Sequence, residues 1–206
     1  MQRMIAILAA ILVAALVIVT WFLGRSGDDE FADCHESSVG TGAASIGGPF
    51  TLVDEDGATV TEQDVITKPT LLYFGYTFCP DVCPLDNARN AEALDILQAE
   101  GLDAQMAFIS IDPERDTPEQ LKDFTSYLHD DMVGLTGTLE QVKAASLAYK
   151  TYFKKEEDGD PEYYLVDHST FTYLVLPDRG FVEFFKRDDS PENMARRASC
   201  FIKAAM

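Results

Sequence analysis

The chain has 206 residues, enough for one domain with additional segments. Its 47% hydrophobic and 25% charged residues can build a core, which excludes wholesale disorder. A formal net charge of −19 excludes nucleic acid as a partner, because a phosphate-binding face needs clustered Lys and Arg; it suits a basic partner, a cation or a merely solvated surface.

Met4 to Leu23 is an almost unbroken apolar run. At ~1.5 Å per helical residue such a run reaches about 30 Å, the thickness of a hydrocarbon core. Trp21 sits near its end, where an indole rests at the interface. Residues 1–25 are expected to form a membrane anchor. The rival is a cleaved signal peptide, but Thr20-Trp21-Phe22-Leu23 offers no small-x-small cleavage site. No Arg- and Ser-rich presequence precedes the run, which favours a bacterial inner membrane over a mitochondrial one. Arg3 before the run and Asp28-Asp29-Glu30 after it and Arg25 give a weak bias that places the remainder in the periplasm. Residues 26–48, rich in Gly, Ser, Ala and acids, read as a flexible linker, and residues 49–206 as the domain.

Within the domain, Phe50–Val53 and Thr59–Thr61 flank Asp56-Gly57, a hairpin signal. Thr70–Tyr76 and Gln105–Ile111 are apolar runs suited to buried strands. Between them Pro84–Glu100 has helical spacing through Leu85, Ala88, Ala91, Leu94 and Leu97, ending at Gly101. Thr117-Pro118-Glu119-Gln120 and Thr138-Leu139-Glu140-Gln141 are capping boxes that open two further helices, the second ending near Lys150. Phe171–Leu176 and Phe181–Phe185 form a hairpin around Asp178-Arg179-Gly180, and Ser190-Pro191 starts a last helix. This order predicts a thioredoxin-like α/β domain, a mixed central sheet flanked by helices.

The chemistry concentrates at Cys79-Pro80-Asp81-Val82-Cys83-Pro84, just after the first buried strand and at the start of a helix. Cysteines four apart share one side of a helical turn. A helix N-terminus stabilises thiolates, the form that binds soft metals and attacks disulfides. Pro80 and Pro84 stiffen the loop and limit how regular its helix can be. Thiolates select Cu(I), and imidazole suits copper in both oxidation states, so a third ligand is sought among three histidines. His35 lies in the linker, and His129 ends a helix as a solvated terminus residue. His168 immediately precedes an apolar strand expected beside the one feeding the cysteine loop; it is either a ligand, with Asp167 orienting its ring, or a histidine satisfied by a local hydrogen bond.

Tyr73-Phe74-Gly75-Tyr76-Thr77-Phe78-Cys79-Pro80-Asp81-Val82-Cys83-Pro84, Ile111-Asp112-Pro113-Glu114-Arg115-Asp116-Thr117-Pro118, Gly134-Leu135-Thr136-Gly137 and Asp167-His168-Ser169 occur in that order. Together they resemble the Sco/SenC family of copper chaperones for cytochrome c oxidase. The resemblance runs from about Gly47 to Phe185. It implies that Cys79, Cys83 and His168 are copper ligands, with Tyr76 and Asp81 flanking the site. It implies delivery of copper to the dicopper centre of oxidase subunit II, with thiol reductants or other copper chaperones as further partners. The competing reading is a thiol–disulfide oxidoreductase that uses Cys79 and Cys83 to reduce the oxidase cysteines and carries no metal, although thioredoxin-type motifs place two rather than three residues between their cysteines.

Cys34 and Cys200 fall outside the family pattern and are either a disulfide pair or two unrelated thiols. Asp112 to Asp116 is either a docking or supporting cluster near the site or a turn in which Arg115 pairs with a neighbouring acid and Asp116 helps open the following helix. Glu156 to Glu162 reads as a solvated acidic loop.

Overall fold

The computed structural model describes residues 7, 12–20, 30–35, 46–156 and 163–206. The chain divides into two compact units, residues 1–34 and 35–206. In the first, residues 12–20 are helical and exposed, and the Thr20 hydroxyl donates back to the carbonyls of Leu16 and Val17. Among the described residues no helix is long and apolar enough to cross a membrane. Much of the expected anchor, residues 1–25, lies outside the described residues, as do most of the linker and the acidic loop at 157–162.

The second unit is built on a seven-stranded sheet. Its strands are β1 (Thr51–Asp54), β2 (Thr59–Thr61), β3 (Thr70–Gly75), β4 (Gln105–Ser110), β5 (Met132–Thr136), β8 (Thr172–Leu176) and β9 (Gly180–Phe185), in the order β2-β1-β5-β4-β3-β8-β9. β3, β4 and β5 are parallel; β8 runs antiparallel to β3. Two short strands, β6 (Phe153–Lys155) and β7 (Val166–His168), pair with each other as a separate arm. The helices are α1 (Glu62–Val65), α2 (Val82–Ala99), α3 (Pro118–Leu128), α4 (Leu139–Ala148) and α5 (Pro191–Ala204). Every residue of β3 is buried, as its continuous apolar run required.

Successive strand residues face opposite sides, and β3 shows what each side packs against. Tyr73 lies beside Phe108, which meets Phe124 of α3, and its hydroxyl donates to Asp86 of α2 at 2.9 Å. Phe74 points the other way, onto Tyr149 after α4 and Tyr173 of β8. The mixed sheet is thus covered on both faces.

Both predicted capping boxes form: Thr117 accepts from the Gln120 N–H at 3.3 Å and Thr138 from the Gln141 N–H at 3.2 Å. The predicted α2 face holds only in its second half. Leu94 and Leu97 are buried, but Leu85 and Ala88 are exposed while Asp86, Asn87 and Asn90 turn inward. Polar side chains can occupy this end because each makes at least one hydrogen bond there. Asp86 takes the Tyr73 hydroxyl, Asn87 Nδ2 donates to the Cys83 carbonyl at 2.8 Å, and Asn90 Oδ1 accepts from the Thr172 hydroxyl at 3.0 Å.

Candidate metal centre

The cysteine loop leaves β3 at Gly75 and enters α2 at Val82, so Cys83 lies in the helix's first turn. Pro84 does not disturb α2, because the N–H groups of a first turn have no intrahelical acceptor to lose. Asp81, at the N-cap, makes no side-chain capping hydrogen bond. The backbone N–H groups of Asp81, Cys83 and Val82 instead favour a negative Cys79 sulfur and help to lower its pKa. Cys83 is fully enclosed and Cys79 is 8% exposed. A Cβ on Gly75 would stand 2.9 Å from Cys83 Sγ and 2.8 Å from the Tyr73 ring, so only glycine lets the sulfur sit against the strand end.

His168 comes from β7, 85 residues from Cys83 in the chain, and its Nε2 stands 3.4 Å from Cys83 Sγ. One ligand atom each from Cys79, Cys83 and His168 lies within 4.8 Å of the others, the one such group of three among the described residues. The ring is oriented by Nδ1, which donates to the Ser169 carbonyl at 2.8 Å. That bond puts the proton on Nδ1 and leaves the Nε2 lone pair free for the sulfurs' side. Asp167, expected to orient the ring, instead faces outward opposite Lys154 in the β6–β7 pair, because neighbours in a strand alternate sides. Tyr73 and Tyr76 both meet the imidazole edge-on, with ring centroids 6.3 and 5.8 Å away. The Tyr76 hydroxyl accepts from the Val166 N–H at 3.3 Å, tying the loop to the arm. Two soft sulfurs and an aimed imidazole nitrogen fit copper.

The two thiols differ. Cys79 is pulled down to about 4, first by the hydrogen bond from the Cys83 thiol and then by the loop's N–H groups. Cys83 is pushed far up, first by that same bond and then by burial. The pair therefore holds one shared proton, with the charge on the more accessible sulfur. Lowering the pH should spare the Cys79 thiolate until its depressed pKa is approached. In the reduced protein, the rate of Cys79 alkylation by iodoacetamide should stay nearly level from pH 8 to about pH 5, where an ordinary thiol loses about tenfold per unit. A tenfold fall between pH 8 and pH 7 would contradict this assignment.

Asp116, the last residue of the segment read as either a cluster serving the site or a turn, braces the loop from behind. It is fully buried, accepts from the Thr77 N–H at 3.0 Å and takes the hydroxyls of Thr77 and Ser110, each at 2.5 Å. Burial pushes its carboxyl above the usual range, against the pull of those three donors. The sequence marked the segment, but its pairing with Thr77, 39 residues away in the chain, has no local signal.

The remaining candidates lie elsewhere. His129 is not a solvated helix end. Its side chain is 12% exposed, with Nε2 3.3 Å from Asp95 Oδ1 and Nδ1 accepting from the Asp131 N–H at 2.9 Å. His35 packs edge-on against Phe201 and stands 3.9 Å from Glu183. Cys79 and Cys83 are free thiols, whereas Cys34 and Cys200 are both disulfide-bonded.

A family profile described as SCO1/SenC matches residues 38–203. The chain is 49% identical over 200 residues to protein SenC of Rhodobacter capsulatus, covering 97% of this chain and 90% of that protein. It spans about half the length of the mitochondrial relatives it matches, such as 46% of SCO1 homolog 1 of Arabidopsis thaliana, to which it is 42% identical. The fold superposes on the crystal structure of Arabidopsis thaliana ScoI with copper bound, with a TM-score of 0.70 and 39% identity over 78% of this chain and 98% of that one. It also resembles BsSco, described as a member of the Sco family of cytochrome c oxidase assembly proteins that contains a disulfide switch, with a TM-score of 0.62 and 28% identity over 77% of this chain and 93% of that one.

Proposed function

The chain belongs to the SCO1/SenC family, and from that premise we propose that it is a copper metallochaperone that carries Cu(I) on Cys79, Cys83 and His168 and delivers it to the dicopper centre of cytochrome c oxidase subunit II. The observation that carries the reading is the convergence of two sulfurs and an aimed imidazole nitrogen from segments far apart in sequence. Three soft or borderline donors suit Cu(I) in a trigonal site. Cu(II) would need a further ligand, such as water. The similar ScoI structure with copper bound and the assembly role described for BsSco support the cargo and the client.

Transfer proceeds by ligand exchange with a cysteine-containing acceptor. The more accessible Cys79 sulfur releases or receives the ion first, while enclosed Cys83 and His168 keep hold of it. In this reading residues 1–25 anchor the protein in a bacterial inner membrane and residues 49–206 work in the periplasm. The apolar run Met4 to Leu23 supports that placement.

A second reading, thiol–disulfide exchange with the oxidase cysteines, is favoured by the asymmetry of the pair. A depressed, accessible Cys79 is suited to attack a disulfide, and an enclosed Cys83 to resolve the mixed disulfide. The two readings meet in one experiment, because a Cys79–Cys83 disulfide removes both thiolate ligands. Reduced protein should bind one Cu(I) per chain, and protein oxidised at this pair almost none. Equal copper in the two forms would rule out the thiolate site; none in either would leave the exchange reading alone.

A further inference from the structure

The cysteine loop and the histidine arm are separate elements, and copper meets a ready-made site only if something holds them together. Arg115, from the segment between β4 and α3, lies between them. Its guanidinium carbon is 3.6 Å from the ring centroid of Tyr164, four residues before His168, and 4.9 Å from that of Phe78, which directly precedes Cys79. Asp112 locks this arrangement from below. One of its oxygens accepts from Arg115 Nε at 2.5 Å and the other from the Tyr164 hydroxyl at 2.6 Å. Asp112 itself is buried.

A turn in which Arg115 merely neutralised Asp112 would need no aromatic ring. Here a planar cation lies over rings from two different segments, each adjoining a ligand; an ammonium can also sit over a ring, but only the flat guanidinium can spread across both while holding Asp112 through Nε. Lys155 also lies over Tyr164, 3.8 Å from its centroid, but it belongs to the arm and reaches Glu114 rather than the cysteine loop. Phe78 is 48% exposed, so its position depends on this contact more than on a surrounding core.

The geometry assigns Arg115 as the positioning residue of the metal centre, a clasp between Phe78 and Tyr164 that sets the sulfur-to-imidazole spacing before metal arrives. The inference rests on the copper reading for its consequence, but the clasp exists without metal and is testable without it. With the clasp intact, the arm is ordered on folding rather than on binding copper, so less of the binding energy is spent on ordering it.

Four substitutions read it out: Arg115→Ala, Arg115→Lys, Tyr164→Phe and Tyr164→Leu. The first measurement is amide hydrogen exchange in reduced, metal-free protein. Val166 to Ser169 should exchange at least tenfold faster in Arg115→Ala than in the parent, while β3 keeps its protection. Arg115→Lys should restore little of the protection, and Tyr164→Phe, which keeps the ring, should disturb the arm less than Tyr164→Leu. The second measurement is Cu(I) affinity by competition with a chromogenic chelator, expected to weaken about 10–100-fold in Arg115→Ala, with loss of the nitrogen scatterer in X-ray absorption. Unchanged arm exchange in Arg115→Ala overturns the clasp whatever happens to copper. Should that variant fail to fold, Arg115→Lys decides, and parent-like arm exchange there overturns it equally. A parent protein that binds no copper defeats the chaperone reading, and the exchange rates still decide the clasp.

Discussion

Replacing His168 with alanine should leave a folded protein that has lost its grip on copper and kept its dithiol chemistry. The imidazole contributes to the fold a hydrogen bond from Nδ1 to the Ser169 carbonyl, a 3.4 Å contact between Nε2 and Cys83 Sγ, and edge contacts with Tyr73 and Tyr76. An ordinary hydrogen bond is worth only about 1 kcal/mol net, so stability should change little. Copper should respond very differently. Losing a partner one shell further out typically weakens metal sites by about 10–100-fold, and losing the nitrogen donor itself should exceed the upper end of that range. Exchange with a small aromatic disulfide depends on Cys79, whose depressed pKa comes from Cys83 and loop N–H groups and not from His168. The variant should therefore react with such a disulfide at close to the parent rate. The decisive pair of measurements is a Cu(I) competition titration and a stopped-flow exchange assay on the same preparation. Parent-like copper affinity would remove His168 from the ligand set; lost exchange with retained copper would invert the roles assigned to histidine and cysteines.

The parts of this molecule that could be read from the chain are those whose signal is local. β3 announced itself as an apolar run, Thr117 and Thr138 as capping boxes, and the cysteine pair by its spacing before a helix. His168 needed more, since position left it open and only the resemblance to known chaperones made it a ligand. What stayed hidden is held by contacts between distant segments. β5, which is not among the predicted elements, contains Gly134; a side chain there would stand 2.8 Å from Leu121 Cβ and 2.9 Å from Glu55 Oε1, so close packing demands glycine within a strand. The inward polar face of α2 runs against its apolar spacing because Tyr73, Thr172 and the Cys83 carbonyl supply partners no periodicity reveals. The ring of His168 is set by a carbonyl, which every residue possesses, so nothing in the sequence could have preferred Ser169 over Asp167. Asp112 to Asp116 reads equally well as a turn; it is both a turn and a brace, since the same residues meet Thr77, Phe78 and Tyr164.

That brace supplies the largest expected loss of stability. Asp116→Ala should destabilise the protein by on the order of 2–4 kcal/mol, because it strands buried donors. The Thr77 N–H has no freedom to turn elsewhere once its acceptor is gone, whereas the Thr77 and Ser110 hydroxyls can rotate in search of new ones. For a domain of this size the loss corresponds to a fall in Tm of roughly 5–15 °C, measurable by calorimetry on reduced, metal-free protein. The site should suffer beyond the global effect. Thr77 lies two residues before Cys79, so freeing it lets the loop drift from the α2 N-terminus, and the N–H groups that hold the Cys79 thiolate move with it. The Cys79 pKa should then rise toward the ordinary thiol range, and alkylation at pH 5 should slow relative to the parent. Asp116→Asn keeps the side chain's size and one carbonyl acceptor for Thr77, so it should lose less on both counts. A variant with alanine that melts within a degree of the parent would show that the loop is held by Arg115 and the Tyr76–Val166 contact alone; one that melts lower but keeps parent-like alkylation at pH 5 would show that Asp116 supports the fold without setting the thiolate.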